Sequence, residues 1–372
     1  MRIKAAVMQK ADGMLTRRRI ELEEVELDSP YDDEVLIRIT ACGVCGTDKG
    51  AIHGLEPYPT PGVLGHEGAG IVEAVGRDVK SVKPGDRVMI GFPFCGECRT
   101  CRRGEMRYCE KGQALSFSGY RLDGSSGMKR LNGEPLAGRF FQQSSWSTHT
   151  LALERQLAKV PDGIDLDLCG PYGCSISTGA GTILNELKPL PGSAIAIFGA
   201  GNVGLAAVMA ARLTGATRII AIDKVPERLA LAREIGATHS LEHGADTIAE
   251  LKELVGGHLD YSVEATDGSN LVGEAISALG PRGTCAMVGG AKMTATVKYN
   301  HPDVLMNGKH IIGVMGGGGQ TPTFLQSLME LQRQGRFPLE KLVRFYDLAD
   351  VNQAVDDSDA GTTIKPILRM PH

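Results

Sequence analysis

Four cysteines fall within residues 95–109, in the spacing Cys95-x2-Cys98-x2-Cys101-x7-Cys109. Four thiolates this close can fill the tetrahedron of one zinc ion and leave no vertex for water or substrate, which marks a metal that stabilises structure. The seven-residue last interval separates the run from the bacterial ferredoxin pattern. A second set is scattered. Residues 41–48, ACGVCGTD, carry Cys42 and Cys45; His66 and Glu67 stand together in GHE; Cys174 lies far downstream. A C-x-x-C pair suits a redox dithiol or half of a zinc site, and the spacing alone does not choose. Taken singly, His66 reads as a structural histidine on a strand and Cys174 as a core residue. A catalytic zinc needs three protein ligands and one open position, and two thiolates with one imidazole would make that site formally neutral.

A third constellation concerns a dinucleotide. Gly199, Gly201 and Gly204 form G-x-G-x-x-G between the apolar run SAIAIF (193–198) and the helical pattern VGLAAVMAARLTG (203–215). The first glycine permits the tight turn, the second a close approach of pyrophosphate, and the third close packing of helix on strand. The helix N-terminus adds free N–H groups and the positive end of its dipole. Asp223 closes the next strand, RIIAID (218–223), where a carboxylate can accept hydrogen bonds from an adenosine ribose. It should also repel a 2′-phosphate, which favours NAD over NADP, while Lys224 and Arg228 lie near enough to soften that preference.

Two textures position these residues. Up to about residue 170, short alternating runs such as EVLIRITA (34–41), GAGIVEAVG (68–76) and DRVMIGF (86–92) read as half-buried strands. From about 174 to 318, strand and helix patterns alternate, as in a parallel, doubly wound sheet. A helix at PTFLQSLMELQRQG (322–335) and a strand at TIKPILRM (363–370) are expected to return to the first domain. Residues 110–146, rich in Gly and Ser, read as a long surface excursion.

The 372 residues suffice for two domains, and a net charge of −4 gives no reason to expect nucleic acid or an anionic membrane as partner. No signal-peptide pattern and no apolar run of membrane-spanning length is visible, so a cytoplasmic protein is expected. Nine cysteines, four of them clustered, are too sparse for a disulfide scaffold.

CGVCGTD, PGVLGHEGAGIVEAVG, the four-cysteine lobe, GCSISTGAG and IFGAGNVGLAAVMAA follow one another over nearly the whole chain. Together they resemble the zinc-dependent medium-chain alcohol dehydrogenases. GCSISTGAG and GVMGGGGQTPTFL are most similar to the aryl-alcohol and geraniol-type branches. The resemblance implies an α/β protein: a mostly β GroES-like catalytic domain from 1–175 and 319–372, and a Rossmann-type domain over 176–318. It implies two zinc ions per subunit, NAD, a homodimer or homotetramer, and reversible oxidation of a primary alcohol. A glutathione-dependent formaldehyde dehydrogenase, or a catalytically silent NAD-binding relative, is the alternative.

The same resemblance makes Cys45, His66 and Cys174 the catalytic zinc ligands, and Cys95, Cys98, Cys101 and Cys109 the structural ones. Cys42, Cys169 and Cys285 remain as small buried residues. Asp48 corresponds to a carboxylate that orients His66, Glu67 to one near the metal, and Thr47 to the hydroxyl that takes the alcohol proton. Thr178 and Val203 correspond to nicotinamide-side contacts, Val288 to a further cofactor contact, and Lys365 to a basic contact on the pyrophosphate. Gly46 stands where several relatives carry Arg or His, and Gly50 where some carry a relay histidine; His53, three residues on, is a substitute candidate, with an ordinary surface histidine as the alternative. Phe92, Phe94, Phe140, Phe141 and Trp146 are candidates for the pocket wall.

Overall fold

A computed structural model describes residues 1–11, 17–266, 270–290, 294–319 and 321–371. The chain divides into two compact units. The first holds Met1–Cys174, Gln320–Arg333 and Leu339–His372, and the second holds Ser175–Gly319 and Gln334–Pro338.

The first unit is built on the strand Glu34–Gly43. It pairs antiparallel along one edge with Gly68–Val75, and along the other with His149–Leu153 and Lys365–Arg369. The pairing with Gly68–Val75 slips twice, at Leu36/Ile37 and Ile39/Ala41, and such irregularities bend a strand. A second sheet runs in the order Gly62–Val63, Arg2–Met8, Ile20–Leu27, Met128–Arg130. Side chains alternate in exposure along these strands, so each sheet presents one apolar face to a shared core that includes Val7, Ile37, Ile39, Val72 and Trp146. Residues 110–146 correct the sequence reading. Their first part is mixed, but residues 136–148 are buried throughout and enter this core.

The second unit carries a six-stranded parallel sheet in the order His239–Glu242, Arg218–Asp223, Ala194–Phe198, Tyr261–Glu264, Thr284–Met287, His310–Gly313. In chain order this is 3-2-1-4-5-6, the dinucleotide-binding arrangement with its switch point after the first strand. Ala194–Phe198 is buried at every position, because a central parallel strand is covered on both faces. The helix Asn202–Arg212 buries Gly204–Ala211, eight consecutive residues that small side chains make possible. Among the described residues no helix is long and apolar enough to cross a membrane.

Candidate active site and metal centres

Cys45, His66, Glu67 and Cys174 come from three separated stretches, yet their ligating atoms lie within 4.8 Å of one another, all buried. Cys45 is the N-cap of the short helix Gly46–Ile52. Asp48, three residues on, accepts the Cys45 N–H through Oδ2 at 2.9 Å, which ties off an N–H that would otherwise be left free. Its Oδ1 accepts from the Gly65 N–H at 3.0 Å and lies 3.1 Å from His66 Nδ1. One carboxylate thus starts the helix that carries Cys45 and fixes the ring that follows Gly65. His66 itself sits in the irregular segment between Gly62–Val63 and Gly68–Val75, not on a strand.

With Nδ1 engaged, Nε2 of His66 is buried and has no hydrogen-bond partner. The Cys45 and Cys174 sulfurs lie 3.8 Å apart, unbridged. Two thiolates at about 2.3 Å from one tetrahedral zinc would be about 3.8 Å apart, so the donor set fits that ion. The hydrogen bond from Cys174 holds the Cys45 thiol well below its ordinary range, and that bond pushes Cys174 up. Burial opposes a charge on His66, but Asp48 and Cys45 outweigh it and raise the imidazole to about 10. Metal must displace these protons to bind.

Glu67 is fully buried, and burial pushes its carboxyl up. A Cβ on Gly43 would overlap its Oε2, so glycine there makes room for the carboxylate. Glu67 pairs with Lys365, whose Nζ also donates to the Val44 carbonyl at 3.1 Å. Lys365, the residue expected at the pyrophosphate, is enclosed beside Glu67.

Thr47 is half-buried in the first turn of Gly46–Ile52, with Oγ1 4.0 Å from Cys45 Sγ. A helix start, not a strand, therefore brings the two side chains together. His53, at the far end of that helix, lies 2.9 Å from Asp359 Oδ2 through Nε2 and is about a third exposed. A Cβ on Gly46 would meet nothing within 4 Å.

Aromatic rings enclose the imidazole. Phe141 stacks on His66 with centroids 4.5 Å apart, Phe140 meets it edge-on at 5.4 Å, and Phe92 meets Phe141 edge-on at 5.2 Å. Phe94 packs instead beside the cysteine lobe. Trp146 is core, fully buried with Nε1 directed to the Gly43 carbonyl, and is not a pocket wall.

The lobe gathers Cys95, Cys98, Cys101 and Cys109 with sulfurs within 4.8 Å of one another. Cys95–Cys101 and Cys98–Cys109 are each 4.0 Å apart, close to the edge of a zinc tetrahedron. Backbone N–H groups of Cys95 and Cys98 donate to the sulfurs of Cys109 and Cys95, which suits thiolates. The Thr100 hydroxyl, with backbone N–H groups, holds Cys98 down at about 6.

In the second unit, Gly199 has a φ of +95°, and a Cβ on Gly204 would overlap its carbonyl oxygen. A Cβ on Gly201 would meet nothing within 4 Å, so that face of the turn is open. Asp223 accepts from the Ala200 N–H at 2.7 Å and the Val225 N–H at 3.0 Å, which fixes its carboxylate at the end of Arg218–Asp223. Lys224 is exposed, whereas Arg228 keeps a buried Nε without a partner, as does Oδ1 of Asn202. Val203 lies in the first turn of its helix, Thr178 is nearly buried in Ser175–Gly181, and the Val288 N–H donates to the Glu264 carbonyl.

Residues 31–162 match the alcohol dehydrogenase GroES-like domain, and residues 202–332 match the zinc-binding dehydrogenase domain. The chain is 40% identical over 367 residues to a geraniol dehydrogenase of Castellaniella defragrans, covering 98% of this chain and 96% of that one. The chain belongs to the zinc-dependent medium-chain alcohol dehydrogenases. Its fold superposes on an alcohol dehydrogenase zinc-binding domain protein from Burkholderia ambifaria with a TM-score of 0.96 and 44% identity. On the benzyl alcohol dehydrogenase of Acinetobacter calcoaceticus it does so with a TM-score of 0.95 and 37% identity; both matches cover all of both chains.

Sequence reasoning missed two features of this alcohol dehydrogenase. Glu34 accepts from Arg121 at 2.8 and 2.9 Å and from Arg139 at 2.7 Å, a buried ion cluster under the loop that carries Phe140 and Phe141. Arg107, inside the cysteine lobe, lays its guanidinium over Phe92. Neither has a local sequence signal, since each depends on contacts between distant stretches.

Proposed function

We propose that this alcohol dehydrogenase oxidises primary alcohols with a conjugated carbon next to the carbinol, aryl or allylic, to aldehydes with NAD. The observation that carries the reading is the enclosed Cys45, His66 and Cys174 set, with an unpartnered imidazole nitrogen and a ring stacked against it. A zinc ion held there supplies Lewis acidity that lowers the alcohol's pKa, and NAD, bound at Gly199–Gly204 and Asp223, supplies the hydride acceptor.

The protein's own groups do the rest. Asp48 holds Nδ1 of His66 so that Nε2 is free to ligate. Glu67, whose carboxylate lies within 4.8 Å of the other three ligand atoms, has its charge balanced by Lys365. Phe140 and Phe141 pack against the imidazole and keep water from it. The Thr47 hydroxyl takes the alcohol proton and hands it on, since a hydroxyl can pass a proton without keeping it. His53, beside Asp359 at the surface, or solvent is the terminal acceptor. The lobe, closed by four thiolates, holds the second zinc and acts on stability.

Both relatives named for a substrate, geraniol and benzyl alcohol, support the conjugated class. Ethanol fills little of such a pocket and should show a much higher KM. The test is kcat/KM for benzyl alcohol, cinnamyl alcohol, geraniol and ethanol with NAD and with NADP. Equal values for ethanol and benzyl alcohol refute the substrate class, and a preference for NADP refutes the cofactor.

A further inference from the structure

Arg107 lies in the helical turn Met106–Tyr108, between the third and fourth cysteines of the lobe. Its guanidinium carbon is 3.4 Å from the centroid of the Phe92 ring. Nε is buried with no hydrogen-bond partner, and no carboxylate pairs with the side chain among the described residues. Arg107 lines a small cavity of about 20 Å³ together with Phe92, Phe94, Met106, Leu157 and Leu325 and the polar Arg155 and Gln156, and the Gln156 amide is already engaged by the Gly91 and Phe141 carbonyls. The other arginine of that wall, Arg155, is committed: Nε donates to the Phe94 carbonyl at 2.7 Å and Nη1 to Asp33 at 3.2 Å. One cation in the cavity is therefore spoken for and the other is not.

A buried N–H of a charged group without an acceptor is costly, and an incoming acceptor relieves that cost. The position is tied to the metal cluster by rings of the same unit. Arg107 covers Phe92, Phe92 meets Phe141, and Phe141 stacks on His66. A face of Phe92 can hold Arg107 by cation–π attraction while the guanidinium edge remains available for a hydrogen bond in its plane.

We propose that Arg107 determines substrate specificity by receiving an acceptor oxygen at the end of the alcohol remote from its carbinol. The preferred alcohols are aryl alcohols that carry such an oxygen on the ring, an anionic carboxylate most strongly. The inference rests on the reading of Cys45, His66 and Cys174 as the site where the alcohol binds. It gives the cysteine lobe a second task, since the lobe that holds one metal also presents the residue that reads the substrate of the other.

The experiment compares 4-(hydroxymethyl)benzoate with 4-methylbenzyl alcohol, which differ in that oxygen group, on the zinc-loaded enzyme. In the wild type the carboxylate compound should have the higher kcat/KM. Arg107→Met should lower the ratio about tenfold or more, mainly through KM, because the contact exists in ground and transition states alike. Arg107→Lys should restore part of it. Titration calorimetry of the same two compounds gives a readout that does not need turnover. Tighter binding of the carboxylate compound to wild type, lost in Arg107→Met, supports the proposal. Equal binding in wild type overturns it whether or not the variant folds, as does an unchanged ratio in Arg107→Met. Oxidation of 4-methylbenzyl alcohol by wild type tests the dehydrogenase reading separately. If that oxidation is absent while Arg107-dependent carboxylate binding persists, the reaction assignment falls and the binding site stands.

Discussion

At the residue scale, Asp48 links a helix start to a metal ligand. Its two oxygens take the Cys45 N–H, the Gly65 N–H and the His66 ring. Asp48→Asn keeps one acceptor oxygen but removes the charge that favours a firmly held imidazole. We expect zinc affinity at this site to fall about 10- to 100-fold. Competition with a metal-sensitive dye measures it, and an unchanged affinity would mean that Asp48 serves the helix alone. The motif ACGVCGTD made Cys45, Thr47 and Asp48 legible as a group. It could not reveal that the strand Glu34–Gly43 carries Cys42 and that a helix begins at Gly46, just after Cys45, which is what separates the jobs of the two cysteines. The pairing of Lys365 was hidden for a related reason. A lone lysine near the C-terminus gives no sign that Glu67 lies buried beside it. Asp223 carries the second prediction at this scale. Asp223→Gly removes the ribose acceptor and the charge that repels a 2′-phosphate, and it leaves the unpartnered Nε of Arg228 nearby in sequence. The NADP:NAD ratio of kcat/KM should rise by about tenfold or more. No change in that ratio would remove Asp223 from cofactor choice.

At the element scale, the segment that looked like surface is buried and packs Phe140 and Phe141 against His66. Phe141, Gln142 and Ser144 have φ values of 51°, 54° and 52°, a left-handed conformation that costs a non-glycine residue about 1–2 kcal/mol. Something must hold them there. Arg139 does so from the start of the loop, through Glu34, the Leu151 carbonyl and Gln142. The sequence hid this because the ion cluster joins position 34 to positions 121 and 139, and Gly- and Ser-rich texture says nothing of such distant pairing. Glu34→Gln leaves two buried guanidinium groups facing a neutral amide, and should cost about 3–5 kcal/mol. Its pH dependence has a defined sign. Burial alone would raise the Glu34 carboxyl, but the Arg121 hydrogen bonds and the Arg139 and Arg121 charges hold it below its ordinary value. A depressed carboxyl stabilises the fold fully above its unfolded pKa of about 4.3, and that stabilisation is lost as pH falls through the lower folded value. Wild-type stability should therefore drop more steeply than that of Glu34→Gln between neutral pH and about pH 3. Denaturant midpoints across that range check it, and parallel curves for the two proteins would refute it.

At the scale of the whole molecule, the strand–helix rhythm of the second unit made its parallel sheet legible, because each βα repeat is local in sequence. The first unit was harder to read. Its central strand takes partners from residues 68–75, 149–153 and 365–369, and only chain closure brings them together. The two candidate metal centres both lie in that unit, but they differ in how their ligands are gathered. The lobe draws four cysteines from fifteen consecutive residues, so its metal closes one short loop. The other centre draws Cys45, His66 and Cys174 from across the unit, where strands and the buried Asp48 and Glu67 already hold them in place. This difference fixes an order of metal loss. A site with three protein ligands has a fourth position through which a chelator can attach before any protein ligand leaves. A four-thiolate site must first break a bond to the protein, although Cys95 and Cys98 are only half-buried. Complete coordination should outweigh that exposure. With a small bidentate chelator, one equivalent of zinc should leave first and take the activity with it, while the melting temperature falls little. The second equivalent should leave later and lower the melting temperature, since closing the lobe contributes directly to folding. Zinc content, turnover and melting temperature followed in one time course decide the matter. Loss of stability before loss of turnover would reverse the roles assigned to the two centres.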